Sequence, residues 1–391
     1  LTTTKPELAP SPPHITGPTW QKTTDGKWHL PEKSLGWEIL NWWADYVRTP
    51  GGEHAGEPFM PTLEQARFTL WWYAVDEHGQ FIYREGVLRR LKGWGKDPFA
   101  AALALVELCG PVAFSHFDDS GNPVGKRRHA AWITVAAVSQ DQTKNTFSLF
   151  PIMISNQLKA DYGLSVNRFI IYSGEGGRIE AATSSPASME GNRPTLCIQN
   201  ETQWWGTGPD GKVNDGHSMA SVIEGNMTKV PGARTLSICN AHIPGTESVA
   251  EIAYNSWLAI ESGQAVDTGM LYDALEAPAD TPLSEIPSEK EDPEGYERGI
   301  AKLLEGLRIA RGDSVWLPLD DIVKSVLSTK NTLTESRRKF LNQINASEDS
   351  WVSPQEWDRI AMTDPLFSLQ PKQRITLGFD GSKSNDWTAL V

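Results

Sequence analysis

The chain has 391 residues, of which 39% are hydrophobic and 22% charged. That balance builds a core and excludes a disordered chain, and at roughly 150 residues per domain it allows two or three domains. The net charge of −13 argues against a general nucleic-acid coat, although it leaves room for one local basic surface.

Mean hydropathy is −0.39, and no apolar run reaches the roughly 18 residues needed to cross a bilayer. The first residues, Leu1 to Pro6, lack a basic segment followed by an apolar one, so no signal peptide is expected. Neither a membrane nor a secreted protein is expected. Cys109, Cys197 and Cys239 are too scattered for a disulfide framework or structural zinc, and each sits in an apolar stretch as a small buried hydrophobe would. Sixteen tryptophans, several in pairs such as Trp42-Trp43 and Trp204-Trp205, are expected to serve packing.

Residues 1 to about 20 carry Pro6, Pro10, Pro12, Pro13 and Pro18 and read as an extended lead-in. Residues 37–48 fit an amphipathic helix, completing an N-terminal region over 1–58. Thr62 can cap a helix from Leu63 through Trp72. Beyond it, apolar runs at 81–88, 131–138, 169–172, 179–182, 196–199 and 235–239 alternate with helical patterns at 98–108, 145–156 and 220–227. That alternation is the signature of a parallel α/β sheet, placed over 59–275. Residues 276–296 are acidic and proline-bearing and read as a linker or exposed loop. Residues 297–370 are mostly helical. Residues 371–391 contain an apolar stretch ending in Gly378-Phe379-Asp380, which reads as the first strand of a further domain. One strand and a turn make no domain, so a longer protein is expected.

The most informative segment is Arg90-Leu91-Lys92-Gly93-Trp94-Gly95-Lys96-Asp97-Pro98, which joins a strand to an Ala-rich helix. Glycines let backbone N–H groups close around phosphate oxygens, the helix N-terminus adds its dipole, and a lysine reaches the terminal phosphates. The pattern departs from the usual P-loop in two places. Arg90 stands at the first glycine, and Asp97 stands where Ser or Thr holds Mg²⁺. Aspartate is a competent oxygen ligand for that ion. A second strand, expected beside the first, ends in Asn200-Glu201. Glu201 fits the base that polarises the attacking water, and Asn200 takes the place of an aspartate. The missing acid at 200 and the extra acid at 97 form a candidate compensated swap around one Mg²⁺. Asn240 ends the strand at 235–239, where a polar tip can sense phosphate. Gln65 has an amide that can read adenine.

Taken in order, Thr62-Leu63-Glu64-Gln65, LKGWGKDPFAAALAL, VAAVSQDQTKNTF, LCIQNETQWW, LSICNAH, ESRRKFLNQINASEDSWVSPQEW and LGFDGSKSNDWTAL resemble the large terminase subunit of tailed bacteriophages. The resemblance covers about residues 59–391. It implies a P-loop ATPase domain of additional-strand, RecA-like type, a helical linker or lid subdomain, and the start of an RNase H-like nuclease. It also implies that Lys96 binds the β and γ phosphates of ATP, that Glu201 is the catalytic base, and that Asn240 lies in the coupling motif. Asp380 would be a nuclease ligand for Mg²⁺ or Mn²⁺, with Asp386 a weaker candidate. The other nuclease acids would lie past Val391, so this stretch alone is not expected to cut DNA.

Such proteins drive double-stranded DNA into a procapsid in the host cytoplasm. They work with a portal protein and a small terminase subunit, as a homo-oligomeric ring expected to be a pentamer. A trans-acting arginine would come from Arg168, Arg178 or Arg193, while Arg90 and Lys92 could act in cis. Residues 125–129 and Arg337-Arg338-Lys339 are candidate DNA contacts. Two alternatives stay open: a helicase-like ATPase, and a degenerate nucleotide-binding or scaffold module without turnover.

Overall fold

The structure is a computed structural model that describes residues 13–183, 186–328 and 330–344, together with the backbone of 379–380 and 389–390. Residues 1–349 form one compact unit and 350–391 another.

The first unit opens with β1 (Pro13–Thr16), α1 (Gly36–Tyr46), α2 (Leu63–Trp72) and β2 (Glu85–Arg89). Helix α3 (Lys96–Cys109) follows, then the hairpin β3 (Ala113–Phe117) and β4 (Pro123–Lys126). Next come β5 (Trp132–Ala137), α4 (Gln140–Met153), α5 (Asn156–Asp161), β6 (Ser165–Val166), β7 (Ile170–Tyr172) and β8 (Arg178–Thr183). Helix α6 (Pro186–Met189) precedes β9 (Leu196–Asn200), α7 (Gly216–Met227), β10 (Arg234–Cys239), α8 (Val249–Glu261) and β11 (Met270–Pro278). The unit ends with α9 (Pro293–Arg311), α10 (Leu319–Val326), α11 (Leu333–Ser336) and a π-helical turn, Arg337–Leu341. In the second unit, β12 (Phe379–Asp380) pairs antiparallel with β13 (Ala389–Leu390).

The main sheet runs β1-β11-β2-β10-β9-β5-β8-β7-β6. Every pairing from β11 to β8 is parallel, and antiparallel strands close the two edges. This is the mostly parallel α/β architecture that alternating apolar runs require. One neighbour relation differs from expectation. The Asn200 strand does not adjoin the P-loop strand, because β10 lies between them.

Two readings of the flanks are corrected. Pro13–Thr16 belongs to the sheet as an edge strand on β11. Prolines are tolerated there because an edge strand leaves half of its donors unused. The stretch 276–296 is also not wholly a linker: β11 runs to Pro278 and α9 starts at Pro293, capped by the Asp292 side chain.

Local chemistry explains the elements around the site. Thr62 and Gln65 form a reciprocal capping box at the start of α2. Helix α3 is Ala- and Leu-rich and is buried over nearly its whole length, packed between the sheet and α1, α2 and α4. Pro98 sits in its first turn, where a missing N–H costs nothing. Trp43 fills the α1–α3 contact and donates from Nε1 to the Ala102 carbonyl at 2.9 Å. All three cysteines are buried and unpaired, as expected. The described helices include none long and apolar enough to cross a membrane.

Candidate nucleotide site

The parallel register places the tips of β2, β10 and β9 side by side. Cys239 pairs with Arg89, and Ile238 with Asn200, so residues 90, 240 and 201 leave the sheet at one edge. Ligands of open α/β sheets bind at this carboxyl end.

Gly93 (φ 88°) and Gly95 (φ 95°) bend the loop through the left-handed region, where side chains other than glycine are strained. Gly95 is the residue before α3, and no side chain caps that helix. Its first N–H groups are therefore free for an anion. Lys96 is buried, and its Nζ donates to the carbonyls of Arg90 and Leu91 at 3.2 and 3.1 Å. The ammonium thus lies across the mouth of its own loop. Burial pulls its pKa below the usual lysine value, opposed first by the carboxylate of Glu201 and then by that of Asp97. The sequence places Lys96 and Glu201 far apart, and the fold makes them electrostatic neighbours.

Asn200 Nδ2 donates to Asp97 Oδ1 at 3.1 Å and to Thr146 Oγ1 at 3.3 Å, while Thr146 also donates to Asp97 Oδ1 at 3.2 Å. Asn200 Oδ1 is buried and accepts no hydrogen bond among the described residues. A carboxylate and an orphaned amide oxygen on facing elements suit a magnesium ion, which usually keeps several waters and takes few protein ligands. Among the described residues no cluster of three or more His, Cys, Asp or Glu is arranged to enclose a metal.

Glu201 adopts φ 57° and ψ 46°, a sparsely populated conformation for a residue with a side chain, of the kind found at functional sites. Its Oε2 accepts from Gln203 Nε2. Gln203 Oε1 accepts from the Asn240 backbone N–H at 3.3 Å, and Asn240 Nδ2 donates to the Arg90 carbonyl at 2.8 Å. That carbonyl is also a Lys96 acceptor. A hydrogen-bonded chain therefore runs from Glu201 through Gln203 and Asn240 to the loop.

The helical segment lies directly on this loop. Trp316 Nε1 donates to the Gly93 carbonyl at 2.9 Å, and Ser314 Oγ to the Trp94 carbonyl at 3.1 Å. The Lys92 N–H donates to the Lys339 carbonyl at 2.7 Å. Leu91 is buried in the cluster formed by Leu303, Leu307, Ile322 and Leu341. Trp94 is fully buried and donates to Glu64 Oε2 at 3.2 Å, and Glu64 Oε1 accepts from the Asp313 N–H at 2.9 Å. Burial raises the Glu64 pKa; nearby Arg90 opposes the shift.

Several expected residues fall elsewhere. The Arg90 guanidinium faces away from a phosphate role. It pairs with buried Asp273 of β11 and donates to the Asp273 carbonyl at 3.1 Å, so only the Arg90 backbone serves the loop. Gln65 spends its carbonyl on the Thr62 N–H at 3.0 Å, while its amide nitrogen lies beside Gly95. Lys92 and Gly93 are exposed at the loop's crest. Arg178 is committed to Glu180 at 2.9 Å and stacks on Trp132, whereas Arg168 and Arg193 are exposed. The Arg337-Arg338-Lys339 run is not a solvated basic face. Arg338 is buried, Arg337 donates to the Thr281 carbonyl, and Lys339 pairs with Glu335. In the other basic run Lys126 and His129 are exposed, and Arg127 pairs with Glu175 at 3.0 Å. Asp380 lies in β12, and Asp386 lies outside the described residues. Thr146, Gln203, Ser314 and Trp316 escaped sequence reasoning. Only Gln203 carried a signal, two residues past Glu201.

Two relatives match nearly the whole chain. The Gene 13 protein of Mycobacterium phage L5 is 71% identical over 99% of this chain and 70% of its own length. That of Mycobacterium phage D29 is 70% identical with the same coverage. The chain belongs to this Gene 13 family. No family model matches it. Among solved structures, the large terminase of bacteriophage HK97 superposes with a TM-score of 0.54 at 16% identity. The match covers 80% of this chain. The chain spans only 55% of that terminase, and at such identity the likeness speaks for the fold. The α/β fold with a mostly parallel sheet is thus shared with a terminase.

Proposed function

We propose that this protein is an ATP-hydrolysing motor that packages double-stranded DNA into a phage procapsid. The observation that carries the reading is that Lys96 and Glu201 both stand at the carboxyl end of the sheet beside an uncapped helix N-terminus, joined through Gln203, Asn240 and the Arg90 carbonyl. Sharing a fold with a phage terminase and a family with phage proteins adds support.

In this reading the loop N–H groups and Lys96 bind the β and γ phosphates of ATP. Asp97 and Asn200 would hold Mg²⁺, directly or through its waters, and the metal would supply charge neutralisation for the phosphates. Glu201 orients a water whose oxygen bonds the γ-phosphorus as the bond to the ADP oxygen breaks. The water's proton passes to the Glu201 carboxylate. The Glu201–Gln203–Asn240 chain then carries the loss of the γ-phosphate back to the loop backbone. An arginine reaching in from a neighbouring subunit, Arg168 or Arg193, would suit a ring of identical subunits seated on a portal and fed by a small subunit. A nuclease that includes Asp380 would cut the concatemer with Mg²⁺ or Mn²⁺.

The test is phosphate release from ATP and Mg²⁺ by the purified protein, in wild type and in Glu201→Ala. Turnover that Glu201→Ala abolishes, with nucleotide binding retained, supports the reading. Equal rates in both would overturn it.

A further inference from the structure

The buried arginine of the helical segment has two guanidinium nitrogens without a hydrogen-bond partner among the described residues. Arg338 is 2% exposed, and its Nε and Nη2 are sealed from solvent with no hydrogen-bond acceptor among the described residues. Its guanidinium carbon lies 4.4 Å from the centre of the Trp204 ring, on the turn that directly follows Glu201. Its chain neighbour Lys339 accepts from the P-loop N–H of Lys92 at 2.7 Å. Asn342, just beyond, accepts from the Ala241 N–H at 3.0 Å. It also donates to the carbonyls of Arg89 and Leu275 at 3.1 and 2.8 Å. The turn carrying Arg338 is therefore pinned to the ends of β2, β10 and β11.

Pinning on this scale fixes where the guanidinium stands: between the P-loop and the turn that bears the proposed base. Burying a guanidinium without an anion is costly, and the nearby carboxylates of Glu335 and Glu201 do not bond to it directly. Lys339 takes the Glu335 carboxylate at 2.5 Å, and Gln203 takes that of Glu201. The anion that fits two unpaired guanidinium donors at this spot is a phosphoryl group, bound bidentately.

We propose that Arg338 is a phosphate-contacting catalytic residue acting in cis. It would grip the terminal phosphoryl of the nucleotide and stabilise the charge that grows on it during transfer. This rests on the ATPase reading above and adds a residue to it. The surface role expected of a basic run is closed to Arg338, since a side chain this buried cannot reach a duplex.

The experiment compares wild type with Arg338→Ala and Arg338→Lys in the intact protein. It follows steady-state phosphate release, ADP binding and binding of ADP with aluminium fluoride, a mimic of the transferring phosphoryl. Expected are a loss of turnover of about 100-fold or more and a loss of about 30-fold in aluminium fluoride complex formation. ADP affinity should change less than threefold, and the lysine variant should fall in between. If the alanine variant does not fold, Arg338→Met keeps the volume and takes its place. A variant that keeps wild-type turnover within threefold overturns the proposal, as does one that loses ADP and the mimic equally. A wild type that hydrolyses no ATP sinks the ATPase reading, and this one with it.

Discussion

Asp97 and Asn200 touch across the proposed nucleotide site, which permits a charge-swap experiment. Asn200→Asp puts a second carboxylate within hydrogen-bond distance of Asp97, where the amide now donates at 3.1 Å. Two like charges about 4 Å apart cost ~4 kcal/mol at an effective dielectric near 20. Asp97 is only half-buried, and Lys96 stands close by, so about 2 kcal/mol of lost stability is expected without metal. Asp97→Ser with Asn200→Asp returns the site to one carboxylate and should regain most of that loss. Thermal unfolding of the two single variants and the double variant, with and without Mg²⁺ and ADP, completes a double-mutant cycle. Magnesium should rescue Asn200→Asp more than wild type, and the double variant should hydrolyse ATP faster than Asp97→Ser alone. The swap argument fails if Asn200→Asp is as stable as wild type without metal. It also fails if Asp97→Ala keeps full turnover.

Two further outcomes follow from buried groups away from the chemistry. Glu107 accepts from Arg234 Nη2 at 2.9 Å and from the Tyr73 hydroxyl at 2.8 Å in a sealed pocket; Glu107→Ala should cost about 3–5 kcal/mol in chemical denaturation, and a loss under 1 kcal/mol would refute the pairing. Burial, with help from Arg89 and against Glu276, pushes the His242 imidazole down to about 3. An unfolded histidine protonates near pH 6.5, so between about pH 6.5 and 3 the unfolded state binds the extra proton. Stability then falls as pH falls, by about 1.4 kcal/mol per unit. His242→Gln should flatten that slope by one proton, and an unchanged slope would refute it.

Much of the site could be read from the chain because its signals are local. Gly93, Gly95 and Lys96 form a contiguous loop, and Asn200-Glu201 ends an apolar run. Strand order could not be read: β10 slips between β2 and β9 because pairing is decided by packing across the sheet. The strand β11 could not be read at all, because Asp273 and Glu276 break its apolar pattern. Both are buried, and they are neutralised by Arg90 and Arg89 from the neighbouring strand, partners no local window contains. The same blindness made Arg338 read as a surface charge. Its burial depends on a turn folding back onto residues far earlier in the chain. Trp316 gave no hint, since a lone exposed tryptophan in a loop carries no periodicity.

The latch of Trp316, Ser314 and Lys339 onto the P-loop backbone has a mechanical corollary. Gly93 cannot shift without tugging on the indole, and Leu91 cannot move without disturbing the apolar centre of the helical cap. Under the proposed reading, filling the pocket and resetting the cap become two ends of a single lever.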